Sequence, residues 1–363
     1  MAVAVASRAF VFAVAVASNL IFGVSARCVQ GCGSPQIPFF NLFSRWDAEY
    51  YADIAVNGYV SVIAPKWEFF PLYPILIGIF GRLLSSGSLL GLHLAVYVAG
   101  FAISNLAFLA SVHLFYILSA RTTENMKTAL QSAVLLSIYP AGVFLSAVYS
   151  ESLFLLLMVG SLLYWLEGER IRSGVLGFLA GLTRPVGVLL TVPYVYDALT
   201  NSSIRRSARA YLSIAIITAG YLGFMAYSQI MTGTPFANFA AERLYWGVTL
   251  NGSHIWMMAH KMIIGHPLII PYLLLGIGGV CASLVTARTK AERAVGLFSV
   301  CLLVSYLVTP IISFPRYTIT LLPMYWGISR LCLRPSVRGL IYVIFLVLLM
   351  IGAALFVNWY SFY

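Results

Sequence analysis

Charge is scarce in this sequence, and acid is scarcest. Only 9% of the 363 residues are Asp, Glu, Lys or Arg, with 11 acidic residues against 22 basic ones. A water-soluble domain carries about 25% charged residues, so this chain cannot clothe itself in a hydrated surface. Nucleotide-binding and metalloprotease signatures are also missing: there is no Walker loop, no G-x-G-x-x-G after a strand and no H-E-x-x-H. Neither a nucleotide-driven nor a zinc-protease mechanism has support. No internal repeat or low-complexity tail divides the chain, which reads as one membrane domain over residues 1–363. The net charge of +11 is dispersed in short clusters between apolar runs, so membrane topology explains it better than nucleic-acid binding.

Cysteine is sparse as well. Cys281, Cys301 and Cys332 lie in apolar segments and read as packing residues. Cys28 and Cys32 form a C-x₃-C with no second Cys or His pair nearby, so zinc gains little support. In an oxidising compartment a local disulfide is the better reading. The first apolar segment has one flanking cation, Arg8, and no clear small-residue cleavage site, so it reads as a retained span.

What is present is apolar. Hydrophobic residues make up 61% of the chain, in continuous rather than alternating runs such as 339–357. Continuous runs favour helices, which pair their own backbone groups in lipid. Candidate spans are 9–26, 89–118, 129–148, 152–166, 211–231, 268–285, 294–312, 317–331 and 340–357. Each is near the 20 or so residues needed to cross the hydrocarbon core. The run 174–199 is interrupted by Thr183, Arg184 and Pro185 and reads as two half-helices around an irregular turn. The fold class expected is therefore an all-α integral membrane bundle of about nine to eleven segments, with an extended first outer loop over about 27–87.

Basic clusters orient this bundle. Arg121/Lys127, Arg170/Arg172, Arg205/Arg206/Arg209, Arg288/Lys290/Arg293 and Arg334/Arg338 fall on one side, cytoplasmic by the positive-inside rule. The N-terminus lies on that side too. The other side receives the first loop, the Tyr149–Ser152 turn, the loop 232–266, the Arg184 turn and Phe314-Pro315-Arg316-Tyr317.

Four of the eleven acids lie in the first outer loop, Asp47, Glu49, Asp53 and Glu68, among Trp, Tyr and Phe. An amphipathic interfacial helix accounts for the aromatics but poorly for the acids. A carboxylate at the edge of a low-dielectric bundle has a raised pKa unless paired and can act as a general base. Asp47 and Glu68 are the candidates for that role. Arg184 and Arg316, each beside a proline in an apolar stretch, need a partner or an anionic ligand. Two readings stand: a guanidinium cradle for the phosphate of a lipid-phosphate donor, or a structural ion pair with Glu151. Glu151 could equally cap its helix. Arg45, Trp46, Glu49, Tyr149, Glu151, Trp246 and Tyr317 are candidate substrate contacts, with Arg243 beside Trp246. His254, His260 and His266 recur at spacings of six, which do not share a helical face, and no carboxylate completes a metal set. No cofactor is required, and a divalent metal is unsupported.

Three motif groups carry a resemblance: Ser44-Arg45-Trp46-Asp47-Ala48-Glu49; Ile54-Ala55 with Gly58-Tyr59 and Phe69-Phe70-Pro71-Leu72-Tyr73-Pro74; and Tyr139-Pro140-Ala141-Gly142-Val143-Phe144 followed by Ala147-Val148-Tyr149-Ser150-Glu151-Ser152-Leu153-Phe154. In order and separation, over roughly the first half of the chain, they resemble the PIG-V family of GPI mannosyltransferases. The resemblance implies a GT-C fold with its site on the luminal or extracytoplasmic face. It implies a polyprenyl-phosphate sugar donor, dolichyl-phosphate mannose in eukaryotes, and a glycolipid acceptor. It further implies inverting transfer, with Asp47 matching the family's first-loop aspartate. The family's Arg-Ser-Asn-Gly appears here as Arg184-Pro185-Val186-Gly187, and the loops leave little docking surface for an accessory subunit. A prokaryotic relative acting on another lipid or glycan therefore stays open. Location follows: endoplasmic reticulum membrane if eukaryotic, plasma membrane if prokaryotic. The competing class is a transporter or flippase of a lipid-linked anion, motivated by the broken helix at Arg184.

Overall fold

A computed structural model describes residues 1–23, 38–86, 91–247, 260, 264–265, 267, 269–308, 313–332 and 334–360. Cys28, Cys32, His254 and His266 lie outside the described residues. Every regular element among the described residues is helical. In chain order these are α1 (Ala2–Phe22), α2 (Pro38–Leu42), α3 (Ala48–Asn57), α4 (Leu72–Ser85), α5 (Leu92–Thr123) and α6 (Met126–Ser137). Then come α7 (Glu151–Leu166), α8 (Arg170–Thr183), α9 (Val192–Thr200), α10 (Ser202–Arg205), α11 (Ala208–Thr232) and α12 (Ala237–Tyr245). The last are α13 (Ile269–Val285), α14 (Lys290–Val308), α15 (Phe314–Tyr317), α16 (Leu322–Leu331) and α17 (Pro335–Val357).

Among the described residues, four helices, α1, α5, α11 and α17, are long and apolar enough to cross a membrane. Two expected spans are broken instead. The run 129–148 is helical only as α6, whose 12 residues reach about 18 Å at 1.5 Å per residue, short of the roughly 30 Å core. Pro140, which disfavours helical backbone at Tyr139 and lacks an N–H, separates α6 from a 3₁₀ turn at Gly142–Leu145. The run 317–331 divides likewise into α15, a 3₁₀ turn at Thr318–Thr320 and the ten-residue α16, which has Pro323 in its first turn.

The first outer stretch is also not an extended loop. It holds α2, α3, a 3₁₀ turn at Pro65–Glu68 and the apolar α4. Gly81 lets α4 lie against α5: a Cβ there would come within 2.7 Å of Val96 Cγ2. Arg8 does not flank the first helix but is buried within it. Its guanidinium is satisfied by Gly142 O at 2.7 Å, Ser146 Oγ at 3.0 Å and Ser137 O at 3.3 Å, and lies over the Phe108 ring. Neutral acceptors thus hold a buried cation and fasten α1 to the broken α6 segment.

The break at Arg184 is as expected. Arg184 is extended (φ −151°, ψ 145°) between α8 and a 3₁₀ turn at Pro185–Thr191, with α9 beyond. That turn folds tightly onto α8, since a Cβ on Gly187 would lie 2.5 Å from Ala180 C and Gly181 N. Antiparallel α7 and α8, of 16 and 14 residues, bring the start of one beside the end of the other. This places Glu151 next to Arg184.

At the opposite end of these helices the basic clusters are partly paired. Arg121 pairs with Glu167, Arg170 lies 3.8 Å from Asp197, and Arg330 pairs with Glu292. Thr289 Oγ1 donates to Thr122 O at 2.7 Å, joining α5 to the start of α14.

Candidate active site

Asp47 sits where the chain turns into α3. The residue before it, Trp46, has φ +56°, a left-handed conformation that a bulky side chain adopts only when its surroundings impose it. The Trp46 ring packs 4.8 Å from that of Trp359. Arg45 Nε donates to Val357 O at 3.0 Å, and its Nη1 donates to Asn41 Oδ1. Tyr149 Oη accepts from the Asp47 N–H at 3.1 Å and donates to Arg45 O at 3.2 Å. Asp47 heads α3 without a side-chain capping bond. Its carboxylate pairs with Arg316.

Glu151 is the centre of the arrangement. It is 1% exposed and opens α7 without capping it by a side-chain bond to the backbone. Its Oε1 accepts from Arg184 Nη1 at 2.7 Å and lies 3.7 Å from Arg316 Nε. Both guanidiniums, 13% and 12% exposed, lie over the Tyr317 ring at 4.9 and 5.3 Å. Arg316 also faces the Tyr149 ring and donates to Ser313 Oγ at 3.1 Å. Two arginines and two carboxylates thus form one charge-balanced network. Arg184 and Glu151 are the ion pair that their sequence positions allowed.

This network borders a cavity of about 70 Å³, room for several waters. Arg184, Arg316, Glu151, Glu68, Tyr51 and Tyr317 contribute to its lining. Tyr51 Oη is bonded to Ser150 Oγ at 2.8 Å, tying α3 to the start of α7. Asp47, Arg45, Trp46, Glu49, Tyr149 and Trp246 are not among the lining residues. Arg45, Trp46 and Tyr149 tether Asp47 from behind, and Trp246 packs near the rings of Tyr50 and Phe69. Asp53 lies outside the site, paired with Lys66 and bonded to Asn57, and Arg243 is exposed.

Sequence reasoning missed Glu242 and Asn238, one turn apart on α12 and both lining the cavity. The available signal was rarity, since Glu242 is one of only eleven acids. Among the described residues, no group of three His, Cys, Asp or Glu side chains is arranged to hold a metal ion.

Glu68 ends the 3₁₀ turn Pro65–Glu68, and its buried Oε2 has no hydrogen-bond partner among the described residues. Burial, with repulsion from Glu242 and Asp47, pushes its carboxyl up to about 8 against the pull of Arg316 and Arg184. In the unfolded chain the same group ionises near 4.5. The folded state therefore binds the extra proton between these values, and stability falls as pH rises from about 4.5 to about 8. Glu68→Gln, which cannot ionise, is expected to raise the melting temperature at pH 8 and to lose this advantage below pH 4.5. Thermal unfolding of both proteins across that range reads the difference, and parallel curves would remove the buried charge from the explanation.

Residues 9–258 match the family model described as mannosyltransferase (PIG-V). GPI mannosyltransferase 2 of Schizosaccharomyces pombe is 30% identical over 144 residues, covering 40% of this chain and 29% of the relative. GPI alpha-1,6-mannosyltransferase 2 of Mus musculus is 34% identical over 148 residues, with 40% and 29% covered. GPI mannosyltransferase 2 of Yarrowia lipolytica is 24% identical over 215 residues, with 58% and 55% covered. The chain thus spans 29 to 55% of the length of these relatives. In fold, it resembles ArnT from Cupriavidus metallidurans bound to undecaprenyl phosphate, with TM-score 0.54, 15% identity, and 84% of this chain and 58% of that one covered. It also resembles the oligosaccharyltransferase of Archaeoglobus fulgidus in the apo form, with TM-score 0.51, 12% identity, and 98% and 56% covered. The architecture is of the GT-C type.

Proposed function

The chain belongs to the PIG-V mannosyltransferase family, and from that premise we propose that it transfers mannose, with inversion, from a polyprenyl-phosphate donor to a glycolipid acceptor resembling a GPI precursor. The observation carrying this reading is the Glu151-centred network, which sets two guanidiniums side by side at the wall of a cavity with a carboxylate bonded to one of them. Forked guanidiniums suit phosphate oxygens, and ArnT, which shares the fold, has been crystallised with undecaprenyl phosphate.

The chemistry assigns each group a part. Donor phosphate draws on Arg316 and Arg184. Because Asp47 shares Arg316, phosphate binding competes with the Asp47 ion pair and frees that carboxylate as base. Asp47 removes the proton from the acceptor hydroxyl as its oxygen attacks the anomeric carbon from the face opposite the phosphate. The bond from that carbon to the phosphate oxygen breaks, and the arginines take up the departing charge. Glu68 is the second candidate for the proton. At the position where the family carries asparagine, Val186 lines the cavity, so the identity of the acceptor is the part of the reading to which this chain adds its own character.

The bundle is read as crossing the membrane about nine to eleven times, the shorter helices included. The cavity then lies on the luminal or extracytoplasmic face and the N-terminus on the cytoplasmic face. The relatives favour the endoplasmic reticulum membrane. An accessory subunit is a matter for purification.

The test uses purified protein in nanodiscs with radiolabelled polyprenyl-phosphate mannose and a synthetic mannose-terminated glycolipid. Label is expected in the glycolipid as an α-mannoside. Movement of donor across proteoliposomes with no glycosidic product would overturn transfer in favour of transport.

A further inference from the structure

Two chemically different sets of side chains line the cavity. One is Arg184 and Arg316 with the Glu151 carboxylate between them. The other is built by the turn Pro65–Glu68 and α12, which pack on each other, and presents Glu68, Glu242 and Asn238.

α12 is held firmly. Ala237 and Ala241 are buried in an aromatic cluster with Trp67, Phe70 and Phe224, and Tyr245 Oη donates to Ile63 O at 3.1 Å. That packing turns Glu242 toward the cavity while Arg243, the next residue, faces outward.

Among the described residues neither Glu68 nor Glu242 has an ion-pair partner, and burial pushes the Glu242 carboxyl up to about 7. Asp47 and Glu151 are the ion-pair partners of the two arginines, so among the described residues lining the cavity the second pair of acids has no cation of its own. Among the described residues the Oε2 of the buried Glu151 also lacks a hydrogen-bond partner. A buried polar group left without a partner is destabilising. The Oε2 atoms of Glu68 and Glu151, both from residues lining this one cavity, point to a ligand that satisfies them.

Partly protonated carboxyl groups both donate and accept hydrogen bonds. Hydroxyl groups require both. We propose that Glu242, with Glu68 and Asn238, holds the hydroxyls of the acceptor sugar and fixes its position against the arginine-held donor. This rests on the transfer reading only for which sugar arrives, since a hydroxyl-binding set of side chains is defined without turnover.

The experiment uses the full chain in nanodiscs and a synthetic mannose-terminated glycolipid, together with analogues lacking single hydroxyls on the terminal sugar. Direct binding of the glycolipid is measured without donor, then acceptor KM and kcat with polyprenyl-phosphate mannose. Glu242→Ala is expected to weaken glycolipid binding and raise acceptor KM at least about tenfold, while donor affinity stays unchanged. Glu242→Gln, which keeps the shape and both bonding functions, is expected to restore affinity to within about threefold of the starting protein. One deoxy analogue is expected to bind the starting protein weakly yet lose nothing further on Glu242→Ala, the mark of a shared contact. Glycolipid affinity unchanged in a folded Glu242→Ala protein, or every deoxy analogue losing further affinity in that variant, would overturn the assignment. Binding that depends on Glu242 in a protein with no transfer would keep the site and overturn the transfer reading.

Discussion

Asp47→Asn is expected to leave the chain folded and to lower sugar transfer about 100- to 10,000-fold, the range for loss of a general base. Donor affinity is expected to hold or rise, because Asp47 and the donor phosphate compete for Arg316. The opposite signs make the result diagnostic. If Asp47 served only to hold Arg316 in place, its loss would weaken donor binding and rate together. Single-turnover rates and donor titrations on one preparation separate the two. A variant that transfers at the original rate would pass the role of base to Glu68, and Glu68→Gln would then be the variant to collapse.

The second large effect falls on stability. Removing Glu151 leaves Arg184 and Arg316, each about one-eighth exposed, without their shared carboxylate. Breaking a buried pair in this way is destabilising by about 3–5 kcal/mol, because the remaining charge is neither solvated nor paired. Glu151→Gln is therefore expected to lower the melting temperature markedly and to abolish donor binding by separating the arginines. Glu151→Gln combined with Arg184→Gln removes one stranded charge and is expected to recover part of the lost stability. If the double variant melts no higher than the single one, the ion pair is not the source of the loss.

Much of this arrangement was legible in residue order. An arginine followed by proline inside an apolar run announced the break after α8, and the aromatic stretch in which acids crowd supplies Asp47 to the arginine network and Glu68 to the cavity lining. Proximity across the chain was not legible. Asp47 and Arg316 are 269 residues apart, and only packing shows that they meet. Hydropathy merged α6 with the Gly142–Leu145 turn because both are apolar, and only Pro140 signals the division. It also left α4 inside a loop, because a 14-residue helix falls short of a span and is fitted to its neighbours by glycines. Glu242 escaped because a single acid followed directly by Arg243 between two apolar runs looks like solvent-facing surface until α12 is seen to turn it inward.

The tether behind Asp47 has a consequence for the newborn protein. Its fastenings are Tyr149 from the middle of the chain, Arg316, and then Val357 at the end of α17 and Trp359 just beyond it. At about 5–20 residues per second, on the order of tens of seconds separate synthesis of the aspartate from arrival of its last support. Through that interval the motif-bearing half exists in full, yet its carboxylate has no fixed direction. A ribosome stalled before α17 would thus release a product carrying the recognisable sequence signature but without the contacts that hold Arg45 and Trp46 beside Asp47. The late clasp makes synthesis through Trp359 a condition for fixing the segment that carries Asp47.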